Sequence, residues 1–289
     1  ATVLYNEMLG GVPDFNRGAV VAMVMLLPSI VSILLLRFLE RYNIRYDRIS
    51  DADLRPNRGR DTAWGLSGTV LSVGMLSIFA VIFVVPLVQN WPYQTQFTLA
   101  HVQAVFADSE LQTVYLHSLG MALCTAFFGT LLAYGAALIT ARSTLPKWRK
   151  QSVDSIALVT NTIPGMVLGL AFLFTFTGTP LQNTFPLMIL CNIVHYFSSP
   201  YLMMKNSLSK MNAGWETTAM LMGDSWPKTI LRVVTPNAAS SLIEVFSYYF
   251  INAMVTISAL IFLAGARTMV LTTKIKQLQY VNEYNEVFV

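Results

Sequence analysis

Glu216-Thr-Thr-Ala-Met-Leu-Met-Gly223 is followed, ten residues after its glycine, by Val233-Val-Thr-Pro236. Both stretches belong to a polar segment, 205–236, that lies between two strongly apolar runs. A connection of about thirty residues is longer and more regularly patterned than the loops that join most helices. We therefore expect this segment to form a structured surface through which a membrane-embedded part of the protein is driven from outside the membrane.

The composition of the chain is that of a membrane protein. Of its 289 residues, 54% are hydrophobic and only 12% are charged, whereas a soluble domain carries about 25% charged residues. Several apolar runs are long enough to cross a bilayer, which takes roughly 20 helical residues. They lie near 18–37, 65–88, 115–141, 153–176, 186–204 and 237–264. We expect an all-α, polytopic helical membrane protein with about six transmembrane helices in this chain.

The distribution of basic residues predicts the orientation of the chain in the bilayer. Of the 19 lysines and arginines, all but four lie in the segments 37–63, 142–152 and 205–235, which alternate with segments poor in positive charge. Loops rich in lysine and arginine face the cytoplasm, so the segment 205–235 is predicted to be cytoplasmic. A net charge of +4 arranged in this way favours membrane orientation and argues against nucleic-acid binding.

The sequence contains none of the signatures of soluble enzymes that we sought. It has no G-x-x-x-x-G-K-[ST], H-E-x-x-H, C-x-x-C or G-x-S-x-G pattern, and these carry nucleotide, zinc, redox and acyl-transfer chemistry. Its histidines, His101, His117 and His195, are far apart in sequence. We therefore expect no enzymatic activity, no metal site and no cofactor bound by this chain.

Local chemistry predicts two short helices, set at an angle, within the segment 205–236. Glu216 suits the first turn of a helix, where a carboxylate meets the positive end of the macrodipole. Gly223 suits the position just after a helix, and Pro236 ends the second helix. An apolar surface is offered by Met220, Leu221, Met222 and Trp226. This surface fits a groove of a partner protein and equally the surface of the lipid, and the residues alone leave both open.

The segment resembles the EAA loop of binding-protein-dependent ABC transporter permeases. As in that family, a glycine follows Glu216 by seven residues, and a tetrapeptide ending in proline begins ten residues after the glycine. Threonines 217 and 218 replace two alanines of the family pattern, and Val233 and Thr235 replace isoleucine and leucine. Two further stretches also look like the family, Ile163-Pro-Gly165 and Met254-Val-Thr-Ile-Ser258.

The resemblance implies a type I ABC importer (MetI-like) permease of the bacterial cytoplasmic membrane. Its partners would be a cytoplasmic ABC ATPase dimer, which binds the ATP, and an extracytoplasmic solute-binding protein. In this family the glutamate of the loop faces a basic residue of the ATPase. The coupling residues implied for this chain are Glu216, Thr217, Thr218, Ala219, Gly223 and Pro236.

The two ends of the chain resemble each other, which suggests an internal duplication. Each end places a Val-Leu pair ahead of an acidic-aromatic-Asn triplet. We interpret 1–37 as the last transmembrane helix of a preceding permease domain fused upstream, and 64–289 as a second permease domain without its last helix. Residues 38–63 mix charges of both signs with turn formers and predict a cytoplasmic linker, with a lipid-binding basic patch as the alternative.

Fused two-domain permeases of this family serve the import of iron(III), thiamine and 2-aminoethylphosphonate. The N-terminal part of the chain resembles the 2-aminoethylphosphonate permeases most. A rival of another class is a secondary transporter that works without ATP, which would show unpaired charges or broken helices near the midplane in both halves.

Polar residues inside the apolar runs are candidates for the translocation path. They are Asn161, His195, Glu244, Asn252 and Ser258. Hydrogen bonding between helices is the alternative role for the uncharged members and His195. An intramembrane carboxylate favours a function, and the alternative for Glu244 is a hydrated position near the cytoplasmic end of its span.

Overall fold

The computed structural model describes residues 57–90 and 93–280. The predicted span 18–37, most of the predicted linker 38–63, the N-terminal one of the two similar ends and the part 283–287 of the other lie outside these residues, so those interpretations stay predictions. The chain divides into two compact units, one of Arg37–Thr113 with Lys274–Val289 and one of Ala1–Leu36 with Val114–Thr273.

The described residues are mostly helical, as the composition predicts. In chain order the helices are α1 (Arg58–Val84), α2 (Ala100–Ala107), α3 (Ser109–Arg142), α4 (Lys147–Val159), α5 (Gly165–Phe176), α6 (Phe185–His195), α7 (Ser198–Lys210), α8 (Gly214–Leu221), α9 (Trp226–Thr229), α10 (Thr235–Asn237), α11 (Ala239–Val255) and α12 (Leu271–Tyr280). Two short strands are present, β1 (Val88–Asn90) and β2 (Gln94–Phe97).

The helix α1 begins inside the region predicted to be a linker. The Asn57 side chain accepts hydrogen bonds from the amides of Gly59 and Arg60 at 3.1 and 3.3 Å, which caps amides that have no partner within the helix. No residue of α1 is buried in the structure. An apolar helix exposed on all sides is expected to face lipid or another membrane protein.

A small antiparallel sheet interrupts the helical pattern after α1. Val88 lies opposite Phe97 and Asn90 opposite Gln94. The sequence analysis did not anticipate this sheet, because strands of three and four residues are too short to show a clear alternation of polar and apolar side chains.

Two of the predicted spans are broken helices. The span 153–176 divides between α4 and α5 at Pro164, and the span 186–204 divides into α6 and α7, which are bent by 57°. Pro200 lies in the first turn of α7, where it lacks the amide that a continuous helix would bond to the carbonyl of Tyr196. The prolines therefore explain breaks that a hydropathy profile does not show.

The predicted span 237–264 also ends early, because α11 stops at Val255. The Thr256 hydroxyl bonds to the Tyr196 hydroxyl at 2.6 Å, and the Thr256 carbonyl accepts from the hydroxyl of Thr272 at 2.8 Å. These tertiary bonds satisfy polar groups that a longer helix would otherwise satisfy. Residues 256–270 form turns and irregular backbone.

Two helices of the described part, Arg58–Leu87 and Ser109–Arg142, are each long and apolar enough to cross a membrane. The number rises to four if each of two bent helix pairs counts as one span, and Gly165–Phe176 is a shorter apolar helix. The predicted runs that fall within 57–90 and 93–280 are thus present as apolar helices, with several of them bent or divided.

The core of the unit containing Val114–Thr273 depends on small residues of α3 and α5. Tyr249 and Tyr201 are fully buried beside the alanines of α3. A Cβ atom on Gly129 would lie 2.8 Å from the Tyr249 ring, and one on Gly169 would lie 2.2 Å from the carbonyl oxygen of Ala259. Small residues at these positions permit the close approach of neighbouring elements, as is common in helical membrane proteins.

Candidate functional site

The helix α8 is a short element with defined ends. At its start, the Asn212 side chain accepts a hydrogen bond from the Gly214 amide at 2.8 Å. At its end, Gly223 has a φ of +82°, a left-handed conformation that glycine adopts without strain. The amides of Gly223 and Asp224 bond back to the carbonyls of Met220 and Ala219 at 3.0 and 2.9 Å. This is the Schellman pattern, and it confirms the predicted end of the first short helix.

Large apolar side chains at the end of α8 face outward. The exposed fractions of Met220, Leu221 and Met222 are 71%, 84% and 81%, and that of Trp226 is 42%. Thr217 and Thr218 are also exposed, and Ala219 is partly buried. We call Met220, Leu221 and Met222 the apolar tip of α8. The described residues leave most of the tip uncovered, so it is available to another surface.

Glu216, by contrast, is paired within the chain. Its oxygen Oε1 accepts from Nε of Arg142 at 2.5 Å, and Oε2 accepts from Nη2 of the same residue. The family resemblance implied that this carboxylate faces a basic residue of the ATPase. That implication stays a prediction, and within this chain both oxygens lie against Arg142, the last residue of α3.

The second half of the segment contains a π-helical turn. After α9, the turn Ile230–Val234 leads into α10, and the Tyr134 hydroxyl on α3 bonds to the Thr235 hydroxyl at 2.7 Å. The chain then bends by 76° between Trp226–Asn237 and α11. Pro236, predicted to end this helix, lies just before the bend and is exposed. Isolated π-helical turns occur frequently at functional sites.

Two of the five candidate path residues come together. A Cβ atom on Gly165 would lie 2.4 Å from Oγ of Ser258 and 3.0 Å from Nε2 of His195. Both side chains therefore contact the first residue of α5, at the break after Pro164. The Nδ1 atom of His195 is buried without a hydrogen-bond partner in the structure. A polar pair at a helix break within an apolar core suits contact with a passing solute.

Two of the other three candidates, Glu244 and Asn252, lie on α11. Glu244 is exposed on α11, eight residues before Asn252 and hence about 12 Å away along the helix. The Asn252 side chain donates to the carbonyl of Tyr248 at 2.7 Å, within its own helix. Asn161 lies in the 3-10 turn Thr160–Thr162, and its side chain is outside the described part of the structure.

The sequence analysis missed two polar clusters that join helices distant in sequence. One is the Arg142 pair described above. In the other, the Tyr201 hydroxyl contacts the Asp154 carboxylate and lies 3.0 Å from the Thr140 hydroxyl, and Nζ of Lys205 lies 2.5 Å from Oδ1 of Asp154. A carboxylate inside a predicted span was the signal that could have identified Asp154.

Two curated relatives are similar to nearly the whole chain. A ferric transport system permease protein of Haemophilus influenzae is 25% identical over 287 residues, which cover 93% of this chain and 44% of the relative. A ferric transport system permease protein of Actinobacillus pleuropneumoniae is 23% identical over 291 residues, covering 95% of this chain and 41% of the relative. The chain thus spans less than half the length of these curated relatives.

Solved structures show the same fold at low sequence identity. A bacterial ABC transporter that imports the acidic polysaccharide alginate superposes with a TM-score of 0.63 and 13% identity, covering 80% of this chain and 89% of that chain. The alginate transporter in complex with its alginate pentasaccharide-bound periplasmic protein gives a TM-score of 0.64 at 13% identity, covering 80% and 88%. These similarities confirm the predicted helical permease architecture.

The sequence model of a transport family covers the candidate site. It is described as the binding-protein-dependent transport system inner membrane component, and it matches residues 129–286. The matched region includes α8, the turn at Ile230–Val234 and the pair His195 and Ser258. Because it extends over more than half of the chain, this match shows that the chain belongs to the family of binding-protein-dependent transport system inner membrane components.

Proposed function

We propose that this chain is the membrane-spanning permease of an ATP-driven solute importer in a bacterial inner membrane. The observation that carries the proposal is the apolar tip of α8, whose members Met220 and Leu221 are 71% and 84% exposed. Exposed apolar side chains at the end of a well-formed short helix are the anchors of helix-in-groove recognition. Family membership and the basic character of the segment 205–235 support a cytoplasmic ATPase as the partner.

In this proposal the ATPase partner is a dimer that binds and hydrolyses ATP. A ligand shifts a conformational equilibrium only by its difference in affinity for the two states. Closure of the ATPase dimer on ATP draws α8 along and favours the outward-facing permease, and hydrolysis reverses the shift. The coupling residues Glu216, Thr217, Thr218, Ala219, Gly223 and Pro236 form or brace this contact.

The remaining partners follow from the same architecture. An extracytoplasmic solute-binding protein delivers the solute, a proposal supported by the family description and by the periplasmic protein in the alginate transporter complex. A second permease domain completes the pathway, and we place it upstream in a fused protein. The curated relatives, of which this chain covers 44% and 41%, are long enough to hold a second domain.

We assign His195 and Ser258 to the translocation path, next to the break between α4 and α5. Their contact with Gly165 and the unpartnered Nδ1 of His195 support this assignment. Glu244, Asn252 and Asn161 remain candidates for other parts of the path.

We propose iron(III) as the solute, since both curated relatives are named as ferric transport permeases. The similarity to 2-aminoethylphosphonate permeases came from the N-terminal residues, which lie outside the described structure.

The test is uptake into proteoliposomes that hold the full-length permease, its ATPase and its solute-binding protein. We expect uptake of radiolabelled iron(III) that depends on ATP inside the vesicles, with no uptake of labelled 2-aminoethylphosphonate. A vesicle set with an ATPase variant that cannot hydrolyse ATP is the control.

Two outcomes would contradict the proposal in different ways. ATP-dependent uptake of 2-aminoethylphosphonate, but not of iron(III), would overturn the solute and leave the transporter class intact. Uptake that follows an imposed ion gradient, with no requirement for ATP, would favour the secondary transporter.

A further inference from the structure

We propose that Arg142 is a positioning residue that locks the coupling helix α8 to the end of α3, with Glu216 acting inside the permease as its counterpart. The proposal rests on the coupling function assigned above and names the internal contact through which movement of α8 reaches a membrane helix. Arg142 is the last residue of α3 and Glu216 lies in the first turn of α8.

All N–H groups of the Arg142 guanidinium donate hydrogen bonds in its contact with Glu216 and the end of α7, which we call the lock. Nε and Nη2 donate to the two oxygens of Glu216. Nη1 donates to the carbonyls of Met211 and Leu208 at 2.9 and 3.4 Å, and Nη2 also donates to the carbonyl of Asn212 at 2.9 Å. Since an arginine side chain carries five N–H groups in a planar fork, every one of them has an acceptor here.

The acceptors come from two helices that the lock holds together. Leu208 lies in the last turn of α7, and Met211 follows its end, where helix carbonyls lack partners and the macrodipole favours a cation. Glu216 supplies the negative charge from α8. A single side chain of α3 thus braces the end of α7 and the start of α8.

Burial makes the lock rigid and leaves Glu216 little freedom for another partner. The exposed fraction of the Arg142 side chain is 4%, and that of Glu216 is 17%. A buried guanidinium needs its counter-charge, because removing one partner leaves an uncompensated charge in a medium of low dielectric constant. Bidentate pairing also fixes the orientation of the two groups.

The joints on either side of α8 explain why such a lock is needed. Non-helical residues connect α8 to α7 through 211–213 and to α9 through 222–225. If only these connecting residues held α8, a displacement of the apolar tip would change their conformation and would not move α3. The contact with Arg142 transmits this displacement to α3, which runs without interruption for 34 residues.

Transport coupling is the first test, made with the full-length permease and its ATPase in proteoliposomes. We expect Arg142→Gln and Glu216→Gln each to lower the iron(III) taken up per ATP hydrolysed by roughly tenfold, a usual size for coupling between sites. The double variant should be no worse than either single one, because both changes break the same contact. The ATPase should still copurify with all three.

Two further variants separate positioning from a loss of folding. Arg142→Lys keeps the charge but lacks the planar fork, so it should recover coupling only in part. Arg149→Gln removes an exposed cation that stacks on Trp148, and it should leave coupling unchanged.

A spectroscopic test requires no partner protein. A nitroxide attached to Leu221→Cys, with the exposed Cys124 replaced by serine, reports the motion of α8 in the permease alone. We expect Arg142→Gln and Glu216→Gln to increase the mobility of this label to the same extent. Unchanged mobility in both variants would overturn the lock.

The outcomes distinguish failure of this proposal from failure of the proposed function. Loss of ATPase copurification in Glu216→Gln but not in Arg142→Gln, or additive effects of the two changes, would show that Glu216 contacts the ATPase directly and overturn the lock. If the unaltered permease bound no ATPase and showed no ATP-dependent uptake, the importer proposal would fail, and the label would still decide whether the lock exists.

Discussion

Asp154 illustrates how a single charged residue can be stabilised within an apolar run. Its carboxylate contacts Lys205 and the Tyr201 hydroxyl, and Tyr201 is itself fully buried. Intramembrane carboxylates are costly unless they are paired. The trio therefore joins α4 to α7 by polar contacts across a sequence separation of 51 residues.

We predict that Asp154→Asn destabilises the folded protein by about 1–3 kcal/mol, the range for losing a hydrogen bond to a charged group. The thermal unfolding midpoint in detergent would be measured for this variant and for Asp224→Asn. Asp224 pairs with Lys228 four residues away on the surface, and such pairs contribute only about 0.3–0.5 kcal/mol. Equal shifts of the two midpoints would show that the contacts of Asp154 with Tyr201 and Lys205 add nothing beyond a surface pair.

At the level of helices, α8 combines a fixed end with a free end. Glu216 is held by Arg142, whereas the described residues leave Met220, Leu221 and Met222 largely exposed. A helix of eight residues is too short to be stable alone in water, so its contacts at Glu216 and its caps must hold it. A helix with one fixed end and one exposed apolar end is suited to binding by another protein.

We predict that Leu221→Asp abolishes ATPase copurification while membrane insertion stays at the unaltered level. The reason is that an exposed side chain contributes little to folding, whereas a charge in an apolar groove is strongly unfavourable. Leu145→Asp, at a 36% exposed position in the turn between α3 and α4, is the matched control and should retain the ATPase.

This variant also decides between the two roles left open for the apolar surface. A helix that rests on lipid would lose membrane association on introduction of a carboxylate. Reduced insertion of Leu221→Asp, with normal ATPase binding by the inserted fraction, would therefore support the lipid-surface interpretation.

Some of the helix breaks could be predicted from the sequence, and one could not. Pro164 and Pro200 are visible in the sequence and explain the divisions of two predicted spans. The early end of α11 has no such local signal, because the apolar run continues beyond Val255. Thr256, the first residue after the helix, shares a hydrogen bond with the Tyr196 hydroxyl, and its carbonyl accepts one from the Thr272 hydroxyl.

At the level of the whole molecule, the alternation of basic and non-basic segments predicts one orientation in the membrane. Tyr93 lies in a segment poor in basic residues and is 90% exposed, and Leu221 lies in the basic segment 205–235 and is 84% exposed. The two positions are thus predicted to face opposite sides of the bilayer.

We predict that an impermeant maleimide added outside intact spheroplasts labels Tyr93→Cys and does not label Leu221→Cys. Both variants carry serine at position 124, and permeabilised cells should label both. The reverse pattern would contradict the orientation, and with it the cytoplasmic position of α8.

The sequence by itself determined the membrane class, the apolar runs, the orientation prediction and the turn at Gly223 that ends the first short helix of the segment 205–236. These features depend on composition, on the positive-inside rule and on local backbone chemistry, all of which act over a few residues. Only the tertiary structure decided that Arg142 holds Glu216, that Asp154 meets Tyr201, and that His195 and Ser258 meet at Gly165. The physical reason is that these contacts join residues 30 to 93 positions apart, and such pairings follow from the packing of helices rather than from any local pattern.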